Sequence, residues 1–305
     1  MQNPNYSWPP AQAGEIYRTV ELLVMKLNLF KYYSPTYKDK DNLAFYEKGQ
    51  IYFQRPEKFN DPWDCKAPKI SFPRSKSFLK EFHYYLSKGY SKDVVDAEWE
   101  KNETLSRGEI REKYKLLFDE ALENIRRKIG VFSLSFIPDS ELMWSHYASS
   151  HSGYMLHFQI VLDEYFTNPV LKDAGIPIPV IYKKKRPTLN IATYYSNREK
   201  HVYDLIRFKS EAWCYENELR LMNEARYGFI DTPATWIQSI TIGLAVKNEF
   251  KEKLKSIGRK MHIPVFLANI HKENYQIEIP GLDINGTAGR SSYDNLIDSK
   301  MLELK

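Results

Sequence analysis

Residues 75–128 are rich in charge, amphipathic in spacing and nearly free of strand signals, and they interrupt a chain that otherwise reads as short β segments. Apolar residues at helical spacing make 109–129 the strongest helix in that stretch. A long helical block bounded on both sides by alternating, β-branched and aromatic segments excludes an all-β or a regular βαβ fold. Strands are expected at 29–33, 50–54, 131–136, 153–160, 178–182, 215–222, 237–243, 264–269 and 275–279, and shorter helices at 15–27, 43–46, 195–208 and 247–259. The expected class is therefore α+β, with a mixed, mainly antiparallel central sheet and a helical insertion at about 75–128. No repeat of roughly 20–50 residues is present, which argues against a solenoid.

Local signals set the joints. Asp41-Asn42 offer a helix N-cap and Gly49 a stop for the short helix at 43–46. Asn60-Asp61-Pro62 spells a tight turn, Ser140-Glu141 begins a helix, and Pro179 places its strand at a sheet edge. The Pro-rich segment 1–14 reads as a leader, 15–281 as one domain and 282–305 as a tail.

A chain of 305 residues, 43% of them hydrophobic, has ample material for a core. No apolar run approaches the roughly 20 residues that cross a bilayer, and the first residues lack the basic and apolar regions of a secretory signal, so no membrane partner and a cytoplasmic location are expected. Cys65 and Cys214 are the only cysteines, too few for a disulfide framework or zinc site, and are expected as reduced thiols. The net charge of +5 permits an anionic partner, and its one dense basic run, Lys183-Lys184-Lys185-Arg186, reads first as a solvated loop.

Two stretches concentrate chemistry. Residues 131–160 hold Ser133, Ser135, Trp144, His146, Tyr147, His151 and His157 between two strands. Trp144 and Tyr147 share a helical face and read either as core aromatics or as a stack that orients a ligand, while Ser135 either bonds within the sheet or holds a ribose or an amide. In the second stretch Glu216 and Glu218 are one residue apart, so on a strand both carboxylates face the same way, with Arg220 continuing that face. Such a pair repels unless cations or a ligand offset it, and it reads either as a site or as a sheet-edge ion network. No serine-hydrolase elbow, P-loop, zinc-protease or dinucleotide-binding motif is present, and the three histidines lack acidic or cysteine partners for a metal.

The ordered segments LFKYYS, YEKGQIYFQRPEKFNDPWDC, FSLSF, LMWSHYASSHSGYMLHF, IYKKKRP, FKSEAWCYENELRL and ITIGLAV resemble the bacterial domain of unknown function DUF2971, over about 29–279. A second resemblance is to ADP-ribosyltransferase folds, including the DNA-modifying toxin type. It rests on an early strand–helix–strand, a middle strand–helix–strand with Ser and Tyr, and a late strand carrying E-x-E. This resemblance implies an effector of toxin or phage-defence systems that uses NAD, without a metal, to modify a nucleic-acid or protein acceptor, with a neutralising or activating partner. It implies Glu218 as the catalytic carboxylate supported by Glu216, Lys31 or Tyr32 at the first-strand position, and Ser135 or Tyr147 at the middle one. Trp144 and His146 would line the same cleft. Two other classes stay open: a non-catalytic nucleotide or nucleic-acid sensor with Arg55, Arg186 and Arg220 on phosphates, and a structural or interaction protein.

Overall fold

A computed structural model describes residues 26–36, 43–66, 69–71, 75–87, 90–161, 175–190, 203–204, 206–224 and 226–283. In chain order the strands are β1 (Lys26–Tyr33), β2 (Gln50–Phe53), β3 (Lys69–Ser71), β4 (Gly130–Ser135), β5 (Tyr154–Val161), β6 (Ile176–Pro179), β7 (Ile181–Lys183), β8 (Thr188–Asn190), β9 (Phe208–Ser210), β10 (Glu218–Asn223), β11 (Gly228–Asp231), β12 (Ile237–Ile242), β13 (Val265–Leu267), β14 (Asn269–Ile270) and β15 (Ile277–Glu278). The described helices are α1 (Ala44–Glu47), α2 (Lys76–Leu86), α3 (Lys92–Glu103), α4 (Arg107–Lys128), α5 (Glu141–Tyr147) and α6 (Asn248–Met261). The chain divides into two compact units: one takes residues up to Gln50, Leu134–Gly175 and everything from Asp231, and the other takes Ile51–Ser133 and Ile176–Ile230.

In the first unit the strand order is β13, β12, β5, β1, and β1 also meets the end of β4 at Phe30↔Ser135. β1 and β5 pair antiparallel along their whole length, from Lys26↔Val161 to Tyr33↔Tyr154. β12 joins β5 antiparallel and β13 parallel, which makes the sheet mixed and mainly antiparallel, as the pattern implies. β5 is buried almost continuously from Tyr154 to Phe158, whereas β1 largely alternates, with Leu27, Leu29, Phe30 and Tyr32 buried and Asn28, Lys31 and Tyr33 half-buried. The amphipathic α6 packs on β12 and β13 through Leu254 and Ile257, each stabilising by about 2 kcal/mol. His262, left-handed at φ 57°, ends the helix.

The second unit carries the insertion as three helices, so the expected helical block is present. Ser106 accepts from the Glu109 N–H while Glu109 accepts from the Ser106 N–H, a reciprocal box that starts α4. Ile110, Tyr114, Phe118 and Leu122 recur at a spacing of four and bury against Leu79, Phe82 and Trp99. Inside this cluster Asn102 donates to the Tyr114 hydroxyl at 3.0 Å, and that hydroxyl bonds His83 Nδ1 at 2.7 Å, so these buried polar groups satisfy one another. β10 pairs antiparallel with β6, and Pro179 does sit on the strand that ends the order, where a missing N–H costs nothing.

Several expectations need correction: the strand expected over 178–182 breaks at Val180 into β6, paired with β10, and β7, paired with β9. The segment expected as one strand over 215–222 is strand only from Glu218; Glu211–Glu216 is a 3₁₀ turn begun by the Ser210 side chain and ended by Asn217, which is left-handed at φ 40°. Lys26 and Leu27, expected to end a helix, begin β1, and Phe208 belongs to β9 rather than to the end of a helix. The remainder of the expected helix over 15–27, residues 195–202 of the other, the Asp41-Asn42 cap, the leader, and the tail from 284 onward lie outside the described residues.

Candidate functional site

The densest chemistry lies in the second unit, where Glu216 and Glu218 meet without sharing a strand. Glu216 is the last residue of the 3₁₀ turn and Glu218 the first of β10, and the left-handed Asn217 between them turns the chain so that both carboxylates reach one ammonium. Lys209 donates to Glu216, and to Glu218 Oε2 at 3.1 Å. Arg220 is on the same face of β10 as Glu218, two residues on, and donates to it from Nε at 2.8 Å and from Nη2 at 2.9 Å.

The other side of the guanidinium holds the turn expected at 60–62. Asp61 accepts from the Trp63 N–H at 2.8 Å, and its carbonyl accepts from the Asp64 N–H at 3.1 Å. That turn delivers Asp64 to Arg220, which donates to both of its oxygens, and to Lys209 at 3.3 Å. Arg220 Nη1 also reaches the Ile206 carbonyl at 2.6 Å and Cys65 Sγ at 3.2 Å. Glu218 has two further partners: its N–H donates to the Tyr182 hydroxyl at 2.9 Å, and Ser133 bonds its carboxylate.

These five ionic side chains, three acidic and two basic, are almost sealed from solvent, with Arg220 at 0% and Glu218 at 4% exposure. Burial pushes the Glu218 carboxyl up, but the charges of Arg220 and Lys209 and the bonds from Arg220 and Ser133 more than reverse this and hold it below the usual carboxylate range. Lys209 is disfavoured as an ammonium by burial, yet Glu218, Asp64 and Glu216 raise it above an ordinary lysine. Cys65 moves the other way: burial, then the Asp64 charge, push its thiol well up, so it is a protonated thiol, as expected for a reduced cysteine without nucleophilic character. Nearby, burial pushes the Tyr215 hydroxyl up to about 12.

Apart from Ser133, which belongs to the second unit, the residues singled out from 131–160 and from β1 belong to the first unit. Tyr32 and Trp144 meet edge to face at 5.2 Å between ring centroids. Tyr32 donates to the Ile137 carbonyl at 2.6 Å, Trp144 donates from its indole to the Pro138 carbonyl at 3.0 Å, and Ser135 accepts from the Ile137 N–H at 3.0 Å. Three of the expected cofactor residues thus converge on one turn and satisfy its backbone. Burial pushes the Tyr32 hydroxyl well up, with the Asp139 charge adding to it. His146 is exposed and Tyr147 half-buried on α5, their rings 6.3 Å apart, and Lys31 is half-buried on β1 opposite Leu156. The helix ends in Ser149, Ser150 and His151, all left-handed; the Ser150 and His151 N–H groups cap the carbonyls of Ser145 and Trp144. Back in the second unit, Arg55 pairs with Glu57 at 3.0 Å and lies over the Tyr227 ring.

Lys209, Asp64 and Cys65 are the members of the ion cluster that sequence reasoning did not assign to it. Lys209 had a usable signal, a cation that follows the apolar Phe208 a few residues before Glu216 and Glu218. Asp64 had none, because its partner is 156 positions away. Among the described residues no group of three or more His, Cys, Asp or Glu could hold a metal ion, and no helix is long and apolar enough to cross a membrane.

Comparison with curated proteins and with solved structures gave no match. Residues 143–221, which run from α5 to β10 and include Trp144, Lys209, Glu216, Glu218 and Arg220, match the family described as "Protein of unknown function (DUF2971)".

Proposed function

We propose that this protein is an ADP-ribosyltransferase-like enzyme that uses NAD to modify a macromolecule, with Glu218 as the carboxylate that stabilises the transition state. The observation that supports this reading is an ionised Glu218 at the head of β10, coupled through Lys209 to a second carboxylate, Glu216. Loss of nicotinamide develops positive charge on the ribose, and a carboxylate held ionised beside it stabilises that state more than neutral NAD. The five-membered cluster suits that demand, with one carboxylate more than its cations. Arg55, half-buried in the same unit, is the cation this reading assigns to the phosphates of NAD, while the enclosed Arg220 holds the Glu218 carboxylate in place. A toxin or phage-defence role would bring a neutralising or activating partner.

Nicotinamide release from NAD, measured with single-stranded DNA, RNA and protein extracts as acceptors, tests the proposal. Turnover that is lost in Glu218→Gln while the variant stays folded is the expected result. A folded wild-type chain that turns over no NAD with any acceptor overturns it.

Burial favours a second reading, in which the cluster is a fold-holding ion network and the protein binds rather than reacts. Arg220 is fully enclosed and donates to Glu218, Asp64, Cys65 and the Ile206 carbonyl. Under this reading Glu218→Gln and Arg220→Met lower stability and the wild type releases no nicotinamide.

A further inference from the structure

We propose that the exposed ring of Trp63 and the basic loop at 183–186 form a docking surface for single-stranded nucleic acid. Both lie in the second unit. Trp63 is 59% exposed, although it lies between two buried carboxylates, Asp61 and Asp64. Asp61 fixes the Trp63 N–H, and Arg220 grips Asp64. The turn therefore presents its indole outward from an anchored backbone.

Cations gather at that ring. Arg186 lies 5.4 Å and Lys66 5.3 Å from its centroid. Lys183, Lys184, Lys185 and Arg186 are all exposed, as is Lys69 on β3. The basic loop is pinned at both ends: β7 pairs with β9 through Lys183↔Ser210, and β8 pairs with β3 through Lys69↔Thr188. The Lys69 N–H also donates to the Pro187 carbonyl at 3.1 Å. A loop held this way loses little freedom on binding. Glu211 approaches the run, at 3.8 Å from Lys184.

An anchored aromatic ring beside several cations is the arrangement that stacks an unpaired base while neighbouring phosphates are neutralised. A duplex keeps its bases stacked and leaves the indole unused. An acidic peptide would use the lysines but not the ring. A membrane would use apolar anchors, and the side chains that surround Trp63 at contact distance are cations, Arg186 and Lys66. This surface is separate from the buried carboxylates, and the inference stands whether or not NAD is turned over.

Fluorescence anisotropy of labelled oligodeoxythymidine and oligouridine, titrated with the full chain at two salt concentrations, tests it. Trp63→Ala should weaken binding by roughly 5- to 150-fold, the range for loss of one stacked base, and Trp63→Phe should retain most of it. Lys184→Ala/Lys185→Ala/Arg186→Ala should weaken binding and flatten the salt dependence by about 2 in log–log slope. Each variant is exposed, so an unchanged melting temperature accompanies the expected result. No anisotropy change at low salt, Trp63→Ala binding like the wild type, a duplex binding as tightly as the single strand, or anionic vesicles displacing the oligonucleotide would each overturn the proposal. Nucleic-acid binding without nicotinamide release would leave this inference standing and remove the transferase reading.

Discussion

Arg220 grips the carboxylate of Asp64 with both terminal nitrogens, at 2.9 and 2.7 Å, across 156 positions of chain. The fork geometry of a guanidinium matches the two oxygens, and the remaining nitrogen serves Glu218. Arg220→Met leaves Asp64 and Glu218 buried without that partner and should cost about 3–5 kcal/mol in urea unfolding. Arg220→Lys should recover little of it, since a point charge cannot make both bidentate contacts.

Stability should fall with acid in two stages. His157 is pushed down to about 4 by burial from an ordinary 6.5, so below pH 6.5 the unfolded chain takes a proton that the folded chain refuses. Stability is therefore lost between pH 6.5 and about 4, by up to about 3 kcal/mol. The second stage belongs to Glu218, held below the ordinary carboxylate range; its contribution is present above about 4.5 and is lost as pH falls further. Urea midpoints from pH 7.5 to 3.5 should show both stages, and His157→Gln should remove only the first.

Two glycines should respond differently to alanine. A Cβ on Gly153 would lie 2.0 Å from the Tyr33 carbonyl oxygen, so Gly153→Ala must push the backbone apart and should cost about 3 kcal/mol or more. Gly49 has open space but a φ of +63°, so Gly49→Ala should cost only about 1 kcal/mol. Thermal melts of the two variants give the comparison.

Thiol labelling should separate the cysteines. Cys214 is exposed, and Cys65 is buried with its thiol pushed well up. A disulfide reagent at neutral pH should modify Cys214 quickly in the folded protein and Cys65 only after denaturant is added. Fast modification of both would show that the turn around Asp64 opens readily.

Most of the fold was legible because its signals are local. Ser140 does cap the helix that follows it, Gly49 does take the left-handed conformation that ends α1, and Pro179 does occupy an edge strand. Where the reading failed, one backbone torsion decided. Alternation over 215–222 looks like a strand, and a single left-handed Asn217 converts its first half into a 3₁₀ turn. Glu216 and Glu218 were therefore paired for the wrong reason: Lys209, not a shared strand face, joins them. The aromatic cluster around Trp144 was visible as a cluster, but its polar atoms serve the turn at Ile137 and Pro138, which no spacing rule reveals.

The long reach from Asp64 to Arg220 also sets a timetable for synthesis. At roughly 5–20 residues per second, Asp64 and Cys65 leave the ribosome about 8–30 s before their guanidinium partner is made. The second unit draws on residues as late as Ile230, and the first resumes at Asp231, so neither can close early on the nascent chain. For that interval an acidic loop and a thiol that end up sealed are open to solvent, to oxidants and to chaperones.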